Sequence, residues 1–197
     1  MHPRKRMKVT EIDEDDITME ENSQVLQIKD SVYFYAEVKP ETILKLLSAL
    51  DKATQYAQTM CYNIYDARVY LYINSCGGDA YCGLSAMDHI RLNPVPIVTV
   101  ADGYVASAAT LILLGGTERK VLSNAKILIH QLSTQFWGKF KDLLDEVANS
   151  KELMRSFKKI YGSYTSMKKT QIDELLQKEL HMNDQQALKN GFVDEIL

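Results

Sequence analysis

Apolar residues along this chain fall into short blocks whose period switches between that of a strand and that of a helix. Val25 to Ile28 and Val32 to Ala36 read as short strands. Pro40 then opens a helix whose apolar positions Ile43, Leu44, Leu47, Leu50 and Ala57 recur at helical spacing. Val69 to Ile73 is a continuous apolar strand, broken by Asn74-Ser75-Cys76-Gly77-Gly78, and a helix follows to about Leu92. Asn93-Pro94 stops that helix, since the residue before a proline is pushed out of helical geometry. Pro96 to Ala101 predicts another strand before Gly103, Ala106 to Leu114 a small-residue helix closed by Gly115-Gly116, and Lys120 to Leu122 and Lys126 to His130 two further strands. Strands alternating with helices predict an α/β domain with a largely parallel sheet.

From Lys139 to about Lys168 the pattern changes. Phe140, Leu143, Leu144, Val147, Met154, Phe157, Tyr161 and Tyr164 keep three-and-four spacing, which predicts one helix of about 30 residues and about 45 Å. A body of about 170 residues has a radius of gyration near 15 Å, so the helix should project and leave its apolar stripe for a second subunit to cover. The alternative is a helical pair broken at Gly162. Asn183 is placed to cap a last helix through Lys189, with Gly191 just beyond its end.

Composition narrows the class. The chain has 197 residues, with 23 Lys plus Arg against 26 Asp plus Glu and a formal net charge of -3. Length suffices for one core without disulfides or metals, and the charge disfavours binding to a nucleic-acid backbone. Cys61, Cys76 and Cys82 form an odd set without metal-ligand spacing, so no zinc site or disulfide framework is expected. No run reaches the roughly 18 apolar residues of a membrane helix, and the basic N-terminus lacks an apolar stretch behind it. These features lead to the expectation of a cytoplasmic protein without membrane contact. Residues 1–24 run from a basic cluster into an acidic one with few apolar residues, and are read as a polar arm, solvated, axial or touching a partner. The folded domain is placed at 25–197.

Two stretches carry chemistry. Paired glycines directly after a strand, at Gly77-Gly78, let backbone amides face a bound group. The Gly-Lys-Ser/Thr ending of a phosphate-binding loop is missing, which leaves a structural turn or an anion-stabilising one. Ser107 sits among small residues where a strand gives way to a helix, and the amide of Ala108 is there one of the helix's unpaired donors. It is a helix cap, a tolerated small core residue or a nucleophile. His130 ends a strand and is either a satisfied terminal residue or a proton acceptor, an imidazole being suited to take the proton of a serine hydroxyl.

Taken in order, Asn74-Ser75-Cys76-Gly77-Gly78, Gly103-Tyr104-Val105-Ala106-Ser107-Ala108, Ile129-His130-Gln131 and Ala187-Leu188-Lys189-Asn190-Gly191-Phe192-Val193-Asp194 resemble the proteolytic subunit family of the Clp (caseinolytic) protease. The resemblance runs from about Val25 to Leu197. It implies a crotonase-like αβ superhelix with a projecting handle helix, here about residues 139–168. It also implies a serine endopeptidase that cleaves unfolded polypeptides inside two stacked heptameric rings. By position Ser107 resembles the nucleophile, His130 the general base, and Gly77 with Ala108 the amide donors to the oxyanion. Counting back from Gly191 puts Glu179 where the family has its aspartate, with Asp173 and Asp184 as lesser candidates. The resemblance implies no cofactor and no metal, ATP being used only by a partner unfoldase of the AAA+ class.

Several positions depart from the family. Ala108 stands for the usual methionine, Cys76 and Leu132 for prolines, and Ser133-Thr134-Gln135-Phe136-Trp137-Gly138 for a Gly-rich stretch. Residues 1–24 do not match the family's axial loops. This divergent form leaves bacterial, organellar and viral sources open. Two other readings remain: a non-catalytic subunit of mixed rings, and a crotonase-like enzyme holding an acyl-CoA thioester between its paired amides.

Overall fold

The computed structural model describes residues 17–18 and 24–197. Among them, strands β1 (Ile17–Thr18), β2 (Val25–Ile28), β3 (Ser31–Phe34), β4 (Val69–Ser75), β5 (Ile97–Ala106), β6 (Glu118–Val121), β7 (Lys126–Leu128) and β8 (Glu195–Ile196) make one sheet. Its spatial order is β1-β2-β3-β4-β5-β6-β8, with β7 beside β5. The first three strands pair antiparallel and every later pairing is parallel. Helices α1 (Pro40–Met60), α2 (Ala80–Leu92) and α3 (Ala109–Leu114) supply the crossovers. The α/β class expected from alternating blocks is what the chain forms. Of the polar arm, all but Ile17, Thr18 and Gln24 lies outside the described residues, and Ile17 and Thr18 pair with Ile28 and Gln27 at the sheet's edge.

Strand β4 shows why the sheet has two unlike faces. Val69, Leu71, Ile73 and Ser75 are buried while the residues between them are half-buried, the alternation of a strand with one face against the core. The buried face packs with Val32 and Phe34 of β3 against the inner side of α1, where Ile43, Leu46, Leu50 and Ala57 lie. The opposite face carries tyrosines: Tyr33 stacks on Tyr72 with ring centroids 4.8 Å apart. Tyr35 donates a hydrogen bond to Asp102, and burial, followed by that carboxylate, pushes its phenol up to about 12.

Strand β5 runs further than its pattern suggests. The sequence reading ends it at Ala101 and starts a helix at Ala106, yet pairing continues to Ala106 and α3 begins only at Ala109. The reason is local. Gly103 has φ +83°, and the ladder between β4 and β5 shifts register between Ile73 and Ser75, so the strand bends and re-pairs as Ser75 with Val105. A Cβ on Gly103 would meet the Asn74 amide nitrogen at 2.7 Å, which keeps the position bare.

The long helix is one piece but shorter than expected. Helix α4 spans Phe140–Tyr164, 25 residues and about 37 Å, rather than 139–168, and Gly162 lies inside it without breaking it. It stops because Thr165 turns back, its N–H and Oγ1 both donating to the Tyr161 carbonyl, while the Ser166 N–H donates to the Asn190 carbonyl and draws the chain away. A separate helix, α5 (Lys169–Gln177), follows. Only Leu153, Phe157 and Tyr161 of α4 are buried, all in its second half, whereas Phe140, Leu143, Leu144 and Val147 are exposed. The first half therefore carries an uncovered apolar stripe. Helix α6 (Asp184–Lys189) begins as expected at Asn183, whose side chain accepts from the Gln186 N–H at 2.9 Å. Among the described residues no helix is long and apolar enough to cross a membrane.

Arg119 ties the C-terminal segment to the end of α4. Its guanidinium pairs with both Asp194 oxygens (2.7 and 3.2 Å) and donates to the carbonyls of Tyr164 (2.6 Å) and Gly191 (3.0 Å). Arg119→Met keeps the packing of the stem but leaves those carbonyls without their donor. Urea denaturation should show a loss of about 1–3 kcal/mol.

Candidate active site

Three parallel strand ends build the site. Ser75 of β4 is level with Val105 of β5, and Ala106 of β5 with Leu128 of β7, so the residues just beyond each strand emerge side by side. Those residues are Gly77, Ser107 and His130. Ser107 is locked there by its main chain: its N–H donates to the Leu128 carbonyl at 2.9 Å, and its carbonyl accepts from the N–H (3.0 Å) and Oγ1 (2.6 Å) of Thr110. The residue sits at φ +54°, the left-handed region that a side chain adopts only when its surroundings impose it. Such turns hold a side chain away from both flanking elements.

Gly77 makes the second wall. At φ +93° it lies so close to the serine that an added Cβ would stand 2.6 Å from Ser107 Cβ and 2.6 Å from the Ala106 carbonyl. Its carbonyl accepts from the Val38 N–H at 2.8 Å and its own N–H donates to Ser75 Oγ at 3.1 Å. The Gly78 N–H has no acceptor among the described residues, nor has that of Ala108, which precedes the first turn of α3. Of the two glycines, Gly78 is thus the one with an uncommitted amide.

Ser107, His130, Gly77, Gly78 and Ala108 all line one cavity of about 270 Å³. Ser107 and His130 are half-buried, and Ala108 and Gly77 are buried. The His130 Nδ1–H donates to the Gln131 carbonyl at 2.6 Å. A carbonyl only accepts, so Nδ1 carries the proton and Nε2 of the neutral ring keeps its lone pair. Neither Ser107 Oγ nor His130 Nε2 has a hydrogen-bond partner among the described residues.

Glu179 is exposed and does not line this cavity. Its segment is nevertheless tied down near both ends of the histidine strand: the Gln131 N–H donates to the Leu176 carbonyl at 2.9 Å, and Ile127 and Met182 exchange two main-chain bonds of 3.0 and 2.8 Å. Glu179 lies near Tyr104, whose phenol is pushed up by burial first, with Cys76 and Glu179 adding to the shift. Asp173 of α5 pairs with Lys158 Nζ of α4 at 2.6 Å, and Asp184 opens α6; neither lines the cavity.

Among the other lining residues are Glu37 and Tyr161, which the sequence does not assign to the site. Glu37 reaches the cavity because the segment at Val38 bridges to Gly78, a contact between positions 40 apart that no local pattern announces. By its spacing Tyr161 belongs to the apolar stripe of the long helix. It is instead fully buried, its hydroxyl bonded to Thr110 Oγ1 at 2.8 Å, and burial pushes its phenol up to about 12 against the opposing effect of that bond. The helical stripe did signal its burial, but nothing signalled the partner.

The Clp protease family model matches residues 16–197. An ATP-dependent Clp protease proteolytic subunit of Deinococcus radiodurans is 28% identical over 134 residues, covering 67% of this chain and 66% of that protein. Another protein of the same name, from Oltmannsiellopsis viridis, is 29% identical over 172 residues, or 84% of this chain and 88% of that protein. The solved structure of a ClpP1 mutant from Listeria monocytogenes shares the fold with a TM-score of 0.71 at 20% identity, covering 85% of this chain and 91% of that one. With the family match reaching from the edge strand β1 to the last residue and the strand ends placed as described, this chain belongs to the Clp protease family.

Proposed function

We propose that the chain is a serine-type endopeptidase subunit acting on unfolded polypeptides or peptides. The observation that carries this reading is the single cavity that Ser107 and His130 share with uncommitted backbone amides. Ser107 Oγ attacks the substrate carbonyl while His130 Nε2 takes its proton, the tautomer held by the Gln131 carbonyl being the one that leaves Nε2 free. The oxyanion that forms is stabilised by N–H groups. Ala108 supplies one and the Gly77-Gly78 turn the other, Gly78 being favoured because the Gly77 N–H already serves Ser75. His130 returns the proton to the leaving amine, and water then releases the acyl group from Ser107.

Glu179 is the proposed orienting acid, supported by the anchoring of its segment beside the histidine strand. In that role its carboxylate takes the Nδ1–H from the Gln131 carbonyl and stabilises the imidazolium. The exposed stripe of Phe140, Leu144 and Val147 favours assembly with further copies through α4, in stacked rings of heptameric type. The relatives' names, ATP-dependent subunits, favour a partner that consumes the ATP; the proposal takes that partner to be an AAA+ unfoldase and the setting to be cytoplasmic. A second reading, a non-catalytic member of mixed rings, is favoured by one observation: Glu179 lies outside the cavity while His130 Nδ1 is engaged elsewhere.

A fluorophosphonate should add one adduct mass at Ser107, and Ser107→Ala should lose both labelling and peptide cleavage. A purified assembly of intact mass that neither labels nor cleaves would replace this reading with the non-catalytic one. Glu179→Gln should lower kcat by orders of magnitude, about 10⁴-fold where the acid sets the tautomer; an unchanged kcat assigns the orienting role to the Gln131 carbonyl. Gly77→Ala, whose methyl would displace the nucleophile turn, should slow Ser107 labelling about 100-fold.

A further inference from the structure

The cavity around Ser107 does not end at His130. A groove of about 520 Å³ runs between residues 131–136 and the stretch of α4 from Leu143 to Lys158, and Gln131 and Leu132 line both spaces. A polypeptide extended past Ser107 at about 3.3 Å per residue would continue from one into the other.

The two spaces differ in the charge of their linings. At the inner end Glu37 is the carboxylate in the lining; its side chain is exposed and without a hydrogen-bond or ion-pair partner among the described residues. Only its main-chain carbonyl is engaged, accepting from Thr42 Oγ1. The middle of the outer groove is apolar, walled by Leu132, Phe136, Val147 and Met154. Its α4 wall also presents Lys151, Arg155 and Lys158 at intervals of four and three; along the helix Lys158 is the nearest of them to Phe157 and Tyr161, which line the Ser107 cavity, and Lys151 the furthest. Arg155 is paired with Glu152 and Lys158 with Asp173, each at 2.6 Å, which leaves Lys151 as the cation without a partner among the described residues. Glu146 also lines the groove, but its Oε1 lies 3.5 Å from the hydroxyls of Thr134 and Ser150, both placed to donate to it.

We propose that the cleft selects polypeptides by charge order: a cationic side chain at the Glu37 end, an apolar one against Leu132 and Met154, and an acidic one at Lys151. The inference rests on the peptidase reading and names its substrate class. Each charge is solvent-accessible, so each contributes a modest bias rather than an absolute requirement.

Binding without turnover isolates this from the chemistry. In a Ser107→Ala background, two fluorescent peptides of one composition are compared, one ordered Lys, Leu, Glu and the other in reverse. One order should bind about fivefold more tightly at low salt, and the preference should shrink as salt screens the charges. Glu37→Lys combined with Lys151→Glu should invert it. Equal affinities, or a preference that the charge swap leaves in place, would overturn the proposal. So would a Lys151→Gln variant whose native assembly mass changes while the peptide ratio does not, because the outer groove would then be a contact between copies. Cleavage of the same peptides by the chain with Ser107 intact tests the peptidase reading separately: ordered binding without cleavage removes that reading and keeps the cleft's polarity.

Discussion

Everything placed in the site hangs on the main-chain register between β5 and its neighbours β4 and β7. The bond from the Ser107 N–H to the Leu128 carbonyl extends the β5–β7 ladder by one step beyond Ala106, and so carries the serine to the level at which the histidine strand ends. On the other side the shifted ladder brings Gly77 against Ser107 Cβ. A slip of one residue in either pairing would turn the serine to the opposite face of the sheet, since successive strand residues alternate sides. The left-handed backbone at Ser107 is tolerated because both of its main-chain polar groups are bonded, and a strained turn persists only under such constraint.

The same turn is joined to the long helix. Thr110 Oγ1 bonds both the Ser107 carbonyl and the Tyr161 hydroxyl, so the buried half of α4 and the Ser107 turn share one small polar network in an otherwise apolar setting. Buried polar groups are costly unless satisfied, and these satisfy one another. The other half of α4 leaves the core and presents apolar side chains outward. One helix therefore has two jobs along its length, anchoring the site at one end and offering an uncovered face at the other.

Much of this was legible in advance, for identifiable reasons. The block structure foretold the α/β class because a strand's period and a helix's period are properties of the local sequence. The cap at Asn183 was readable because its partner, Gln186, is three residues away. The end of the long helix was not, because it is decided by Asn190, Arg119 and the returning C-terminal segment rather than by any breaker at residue 164. Likewise the reach of β5 to Ala106 depended on Gly103 and on the register shift opposite it, which the composition of β5 alone cannot express. Glu179 is singled out only by its distance along the chain from Gly191, and such a distance does not fix where a flexible carboxylate points.

By itself, then, the amino-acid order determined the kinds of element, the residues able to do chemistry and, through the spacing of small residues around Ser107, where backbone amides would be left unpaired. These depend on interactions within a few residues of each other. Only the tertiary structure decided which of those residues share a cavity, that Glu37 and Tyr161 join them, and that the Gln131 carbonyl rather than a carboxylate holds the His130 ring. Such contacts link positions tens of residues apart, and they are set by sheet register and helix packing, which are cooperative properties of the whole chain.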